Sequence, residues 1–236
     1  MKPFQFKEFT ISQDRCAMQI GTDGVLLGAW TSLVSEPDSI LDIGSGTGII
    51  ALQLAQRSNA EVIDAIELDE NAYEQCVENF EATPWADRLF CYHAGLDEFT
   101  DEIEDTYDLI VSNPPFYAEK VTSGDSSRDK ARQTSSLPFH ELLEGVSKLL
   151  SETGIFSVIL PFKEESNFVA LAQKQGLFPN RITRVKGNPS TEVKRSLLEF
   201  SFSSEHVKTN ELIIELERHQ YTDEYINLTK AFYLKM

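Results

Sequence analysis

The chain has 236 residues, 41% of them hydrophobic and 10% aromatic, and its 38 acidic against 21 basic side chains give a net charge of −17. That much apolar material excludes wholesale disorder, and the absence of a run of about 18 apolar residues argues against a membrane-spanning helix. The acidic balance argues against nonspecific attachment to nucleic acid or anionic lipid, so any such contact must come from local basic patches.

In chain order, residues 1–37 come first, with spaced aromatics at Phe4, Phe6 and Phe9 and no secretory apolar stretch. They read as an N-terminal extension of one domain spanning 1–236. Cys16, Cys76 and Cys91 are far apart and lack metal-ligand spacing. They read as reduced thiols in a cytoplasmic protein that holds no metal. A helix is expected over residues 23–33, with Thr22 or Asp23 as its N-cap. Strands are expected at 39–43, 61–67, 89–93, 107–112 and 155–160. Helices are expected at 48–57, 70–81, 138–149 and 164–175. Ile40-Leu41 and Leu109-Ile110-Val111 are apolar on consecutive positions, which suits strands covered on both faces. The fold class that follows is α/β, a doubly wound, mainly parallel sheet. Strands at 181–186 and 196–201, with Asn188-Pro189-Ser190 between them, predict an antiparallel hairpin at the sheet edge, and a last helix is expected over 222–232. Residues 119–137 are polar and long for a loop, which marks a lid or binding-loop candidate.

The first strand runs into Asp42-Ile43-Gly44-Ser45-Gly46-Thr47-Gly48. Glycines allow a tight turn and close ligand approach, and the helix that follows offers a positive N-terminus. The spacing differs from the Gly-x-Gly-x-x-Gly dinucleotide fingerprint. Glu67 ends the next strand, nineteen residues after Gly48, where an acid can accept both hydroxyls of a ribose. Leu68 follows it. In the class I S-adenosylmethionine methyltransferases that this glycine spacing resembles, the third strand ends near an acid for the adenine amine; here Ala94-Gly95-Leu96-Asp97 has Gly95 in that place and Asp97 two residues later.

The buried strand at 107–112 leads into Asn113-Pro114-Pro115-Phe116. Two prolines stiffen the turn, and Pro114 holds Asn113 extended at the carboxyl end of a strand, where ligands bind in such sheets. An exocyclic amine is a poor nucleophile because its lone pair is delocalised. The Asn113 side-chain oxygen and the Pro114 carbonyl can both accept from such an NH₂, turning its lone pair toward a methyl donor. Phe116 can stack on the planar acceptor, worth roughly 1–3 kcal/mol. No strong base is needed, and His93, His140, His206 and His219 read as structural or surface residues.

Residues 42–48 with 113–116 resemble the class I S-adenosylmethionine (SAM) methyltransferases that modify planar amines. The front segment Phe4–Gln13, the run Ile20–Trp30 and the tail Tyr225–Leu234 are similar to the bacterial tRNA adenine-N6 methyltransferases acting beside the valine anticodon. The resemblance implies a seven-stranded sheet with its last strand antiparallel, and SAM held by Asp42, Gly44, Gly46, Gly48, Glu67, Leu68, Gly95 and Leu96. It also implies that residues 1–37 cover the cofactor site, with Thr22 or Asp23 near the methionine end of SAM. Catalysis then falls to Asn113, Pro114, Pro115 and Phe116. The expected partner is tRNA, met by a monomer with no membrane association. Arg128, Lys130 and Arg132 form one RNA-contact candidate; Lys186, Lys194 and Arg195, near Arg181 and Arg184, form another. Guanine-N2 methylation of rRNA, methylation of a protein glutamine amide, and a SAM- or RNA-binding scaffold without turnover are the alternatives.

Overall fold

The computed structural model describes residues 2–115 and 137–236. Its centre is one eight-stranded sheet in the order β10-β8-β9-β7-β6-β3-β4-β5. These strands are β3 (Ser39–Ile43), β4 (Val62–Glu67), β5 (Leu89–His93), β6 (Tyr107–Ser112), β7 (Leu150–Pro161), β8 (Phe178–Lys186), β9 (Val193–Ser201) and β10 (Lys208–Ile213). The helices are α1 (Thr22–Trp30), α2 (Ile49–Arg57), α3 (Glu70–Glu81), α4 (Leu96–Glu102), α5 (Phe139–Leu149), α6 (Glu165–Lys174) and α7 (Asp223–Thr229). β1 (Phe4–Gln5) and β2 (Thr10–Ile11) form a short antiparallel pair, as do β11 (Glu215–Glu217) and β12 (Gln220–Tyr221).

The central strands are apolar on both faces because helices cover both. One buried cluster joins Leu27, Ile50, Leu54, Phe80 and Ile40 with the N-terminal Phe6 and Phe9 and with Phe232. The other joins Leu41, Ile110, Leu142, Val146, Phe156 and Phe168. α1 is buried from Gly24 to Trp30, as expected of a helix apolar on all sides. It approaches α2 closely: a Cβ on Gly28 would lie 2.4 Å from Gln53 Oε1.

The chain builds β3, β4 and β5 outward in one direction, then returns to place β6 on the other side of β3. This reversal opens a crevice at the carboxyl ends of β3 and β6, the place where such sheets bind ligands. It brings residues 43–48 and 112–115 side by side. β9 runs antiparallel between β7 and β8, so its first residues sit at that same end, with Arg195 opposite Pro161 and Val193 opposite Lys186.

Several features depart from expectation, the first being that α1 is capped by Gly21 and by no side chain, not by Thr22 or Asp23. The 181–201 hairpin forms, but it is not at the edge: β9 inserts beside β7, and the edge is β10, parallel to β8. β3 to β9 supply the seven strands with the last antiparallel, and β10 is an eighth. β10 escapes the hydrophobic pattern because Lys208–Glu211 are exposed and Leu212 alone in the strand is buried. α4 was likewise not expected: it is short and acidic, and it buries only Leu96 and Phe99.

Candidate active site

Gly44 and Gly46 adopt φ of +73° and +54°, and nothing lies within 4 Å of where a Cβ would stand on either. Their backbone therefore faces open space and can be approached closely. The turn is bent toward β4 because the Gly44 and Ser45 amides donate to the Ile66 carbonyl at 3.0 and 3.1 Å. Gly48 also has positive φ, +79°, yet a Cβ there would meet Phe80 at 2.6 Å and the Cys76 sulfur at 2.9 Å. Its function is to let the turn pack on α3, away from the cleft.

The Glu67 carboxylate clasps the turn. Its Oε2 accepts from the Gly46 amide at 2.8 Å and its Oε1 from the Asp69 amide at 2.9 Å. A carboxylate has about four acceptor sites, so two remain for donors in the cleft. Asp42 lies fully buried beneath the turn, its Oδ2 accepting from the Ala51 amide at 3.2 Å. Its Oδ1 has no hydrogen-bond partner among the described residues. Burial pushes the Asp42 carboxyl up to about 7, opposed by the Ala51 amide and helped by the charge of Glu67.

Across the crevice, Ser112 Oγ donates to the Ile43 carbonyl at 2.9 Å and pins the end of β6 to β3. Asn113, Pro114 and Pro115 line the same cleft as Gly44, Gly46 and Glu67, a space of about 990 Å³. Asn113 Oδ1 is buried and has no partner among the described residues. A buried amide oxygen left unpaired is costly unless a donor arrives, which makes this atom a candidate acceptor. Phe116, Arg128, Lys130 and Arg132 lie outside the described residues.

Leu68 is 54% exposed and, with Ala94, Gly95 and Leu96, forms an apolar ledge along the cleft. A Cβ on Gly95 would lie 2.7 Å from Asp97 Oδ1. The missing side chain at 95 thus makes room for the carboxylate of Asp97, which also lines the cleft. Thr22 lines a separate cavity. Asp23 Oδ2 accepts from Arg195 Nε at 2.7 Å, tying α1 to β9. The N-terminal segment does meet the cleft, but through Cys16, Ala17 and Met18. Two side chains of α3 hold it there. Gln75 accepts from the Arg15 amide and donates to Asp14, while Asn79 accepts from the Ser12 amide and donates to the Ser12 carbonyl. Arg15 adds ion pairs to Glu74 and Glu78. No residue pattern in 12–18 signals this contact, because the partners lie about sixty positions away.

The basic stretch at 181–195 reaches the same end of the sheet but is largely engaged. Arg181 pairs with Glu199 at 2.7 Å and lies 3.7 Å from the Trp30 ring centroid. Arg184 pairs with Glu165 at 2.6 Å and Lys186 with Glu211 at 2.9 Å. Lys194 is exposed.

A glycine turn clasped by a strand-tip acid, facing an Asn-Pro-Pro corner across one cleft, defines a class I methyltransferase site. The methyltransferase small domain family matches residues 25–160. Solved structures agree on the fold. The predicted O-methyltransferase of Agrobacterium tumefaciens aligns at a TM-score of 0.67 and 18% identity, over 89% of this chain and 96% of that one. The ribosomal protein L11 methylase of Lactobacillus delbrueckii aligns at 0.54 and 15% identity, over 78% and 77%. Among curated relatives, the tRNA1(Val) (adenine(37)-N6)-methyltransferase of Flavobacterium johnsoniae is 62% identical over 99% of this chain and 100% of its own length. The Bacteroides fragilis protein of the same name is 46% identical over 99% and 98%. The chain belongs to the tRNA1(Val) (adenine(37)-N6)-methyltransferase family. Its cofactor is SAM, and the cleft fits that molecule: an open glycine turn, a carboxylate with free acceptor sites and an apolar ledge line one wall.

Proposed function

We infer that the chain transfers a methyl group from SAM to the N6 amine of adenine 37 in tRNA1(Val). Family membership and the unpaired Asn113 Oδ1 support this reading, and the second observation carries the chemistry. Bound SAM supplies an electrophilic methyl on a sulfonium. Gly44 and Gly46 would offer backbone close to it, Glu67 would accept from its ribose, and Leu68 and Leu96 would cover its base, with Asp97 the acceptor for the adenine amine. Asp42 supports the turn from below through Ala51. Asn113 Oδ1 and the Pro114 carbonyl take the two N–H groups of the target amine, which aims the nitrogen lone pair and disperses the charge that grows on it. Holding amine and methyl together can supply on the order of 7–11 kcal/mol of the barrier. The acceptor proton becomes acidic on alkylation, so water removes it.

The target base must leave its stack, which costs a few kcal/mol and less in a single-stranded loop. Arg128, Lys130, Arg132 and Lys194 are the RNA contacts in this reading, together with Lys186 and Arg195. The enzyme acts as a monomeric single domain in the cytoplasm. The test is transfer from labelled SAM to tRNA lacking the modification, followed by nucleoside analysis. N6-methyladenine at position 37 is expected. Methylguanine, or label in a glutamine-containing protein control, would overturn the reading.

A further inference from the structure

A second cavity, of about 710 Å³, opens beside the N-terminal end of α1. Its walls are Phe4, Tyr221, Tyr225 and Tyr233, with Glu215 and Lys235 among its polar lining. The first two tyrosines are paired, their ring centroids 5.3 Å apart, and Phe4 meets Tyr233 edge-on at 6.4 Å. Burial and the neighbouring Tyr233 push the Tyr225 phenol well up, its proton being directed at Tyr233. The catalytic scheme above uses none of these groups.

The cavity is distinct from the SAM cleft, but the chain passes from the wall of one to the wall of the other within two residues. Met18 lines the SAM cleft and Ile20 lines this cavity, so a single stretch of chain separates the two. Ile214 and Glu215, on its wall, follow β10 at the end of the sheet where Asn113 follows β6, and their amides donate to Lys186 and Gly187. Four strand spacings, about 19 Å, separate those two strand tips. A single-stranded RNA loop covers that distance in a few nucleotides.

We propose that this cavity receives a second unstacked base of the substrate RNA, a few nucleotides from the target adenine. Aromatic walls bind any base by its face. Glu215 adds selection, because a carboxylate accepts from the exocyclic amine or ring N–H of some bases and repels the acceptor edges of others. The inference rests on the tRNA reading above and makes the cavity a specificity site for it.

The experiment uses the full chain and synthetic anticodon stem–loops in which one abasic nucleotide is moved across the loop. With the unmodified protein, kcat/KM should fall at one position besides the target adenine, by roughly tenfold for a lost stack. Tyr221→Leu should show that loss on the intact RNA, no further loss from that abasic site, and unchanged SAM affinity by calorimetry. Glu215→Gln, nearly isosteric, runs the same cycle should Tyr221→Leu unfold. Identical abasic profiles in variant and unmodified protein would overturn the inference while leaving the methylation reading intact. Failure of the unmodified protein to methylate any stem–loop and the full tRNA would instead refute that reading.

Discussion

Asn79 Nδ2 donates to the Thr47 carbonyl at 2.9 Å while the same side chain holds both backbone groups of Ser12. One buried amide on α3 thus joins the glycine turn to the N-terminal segment whose next residues wall the cleft. Asn79→Ala leaves a buried donor and two acceptors without it. The expected loss is about 2–4 kcal/mol, read from thermal melts. SAM affinity should fall as well, because the turn and residues 16–18 lose a common anchor. Unchanged affinity in a folded variant would mean that the turn holds its shape alone.

Asn113→Ala removes a buried, unpaired amide oxygen from a residue that lines the cleft. Turnover should drop roughly 10²- to 10³-fold, the usual effect of deleting one preorganised polar group. SAM binding by calorimetry should be nearly unchanged, since the turn and Glu67 remain. Equal turnover would reject the part assigned to this side chain.

Glu67→Ala removes the acceptor of the Gly46 and Asp69 amides as well as the one proposed for the ribose. We expect SAM affinity to weaken by tenfold or more, as the loss of charge-assisted hydrogen bonds worth about 1.5–3 kcal/mol implies. Glu67→Gln retains one acceptor and should fall between the two. A titration in which both variants match the parent protein would move the ribose contact elsewhere.

Asp42 makes stability depend on pH. Its carboxyl is raised by burial to about 7 from an ordinary value of 3.8. The folded state therefore holds a proton that the unfolded chain has released, and stability falls as pH rises from about 4 through 7. The contribution is at most about 4 kcal/mol. Asp42→Asn should flatten this fall, so that the variant gains on the parent protein between pH 5 and 8 in denaturant melts. A parallel pair of curves would show that Asp42 is ionised throughout.

Lys194 is exposed, whereas Arg181 is held between Glu199 and the Trp30 ring. Lys194→Ala should lower the salt slope of tRNA binding by about one and leave the melting temperature alone. Arg181→Ala should do the reverse. Both slopes unchanged would put the RNA track on another face.

The amino-acid order by itself determined the class of fold, because doubly apolar strands alternating with helices have few ways to bury both faces. It also determined the two ends of the cleft. Glycines at 44 and 46 and prolines at 114 and 115 restrict their own backbone, so their conformations are local and readable. Tertiary structure decided what distant segments do to one another. It put Asp97 into the space Gly95 leaves, set Cys16–Met18 rather than Asp23 against the cleft, and engaged Arg195 with Asp23. It also slid β9 inside the sheet and left the polar β10 as its edge. Those outcomes depend on hydrogen bonds and ion pairs between groups far apart in sequence, which leave no period or spacing in the chain to mark them.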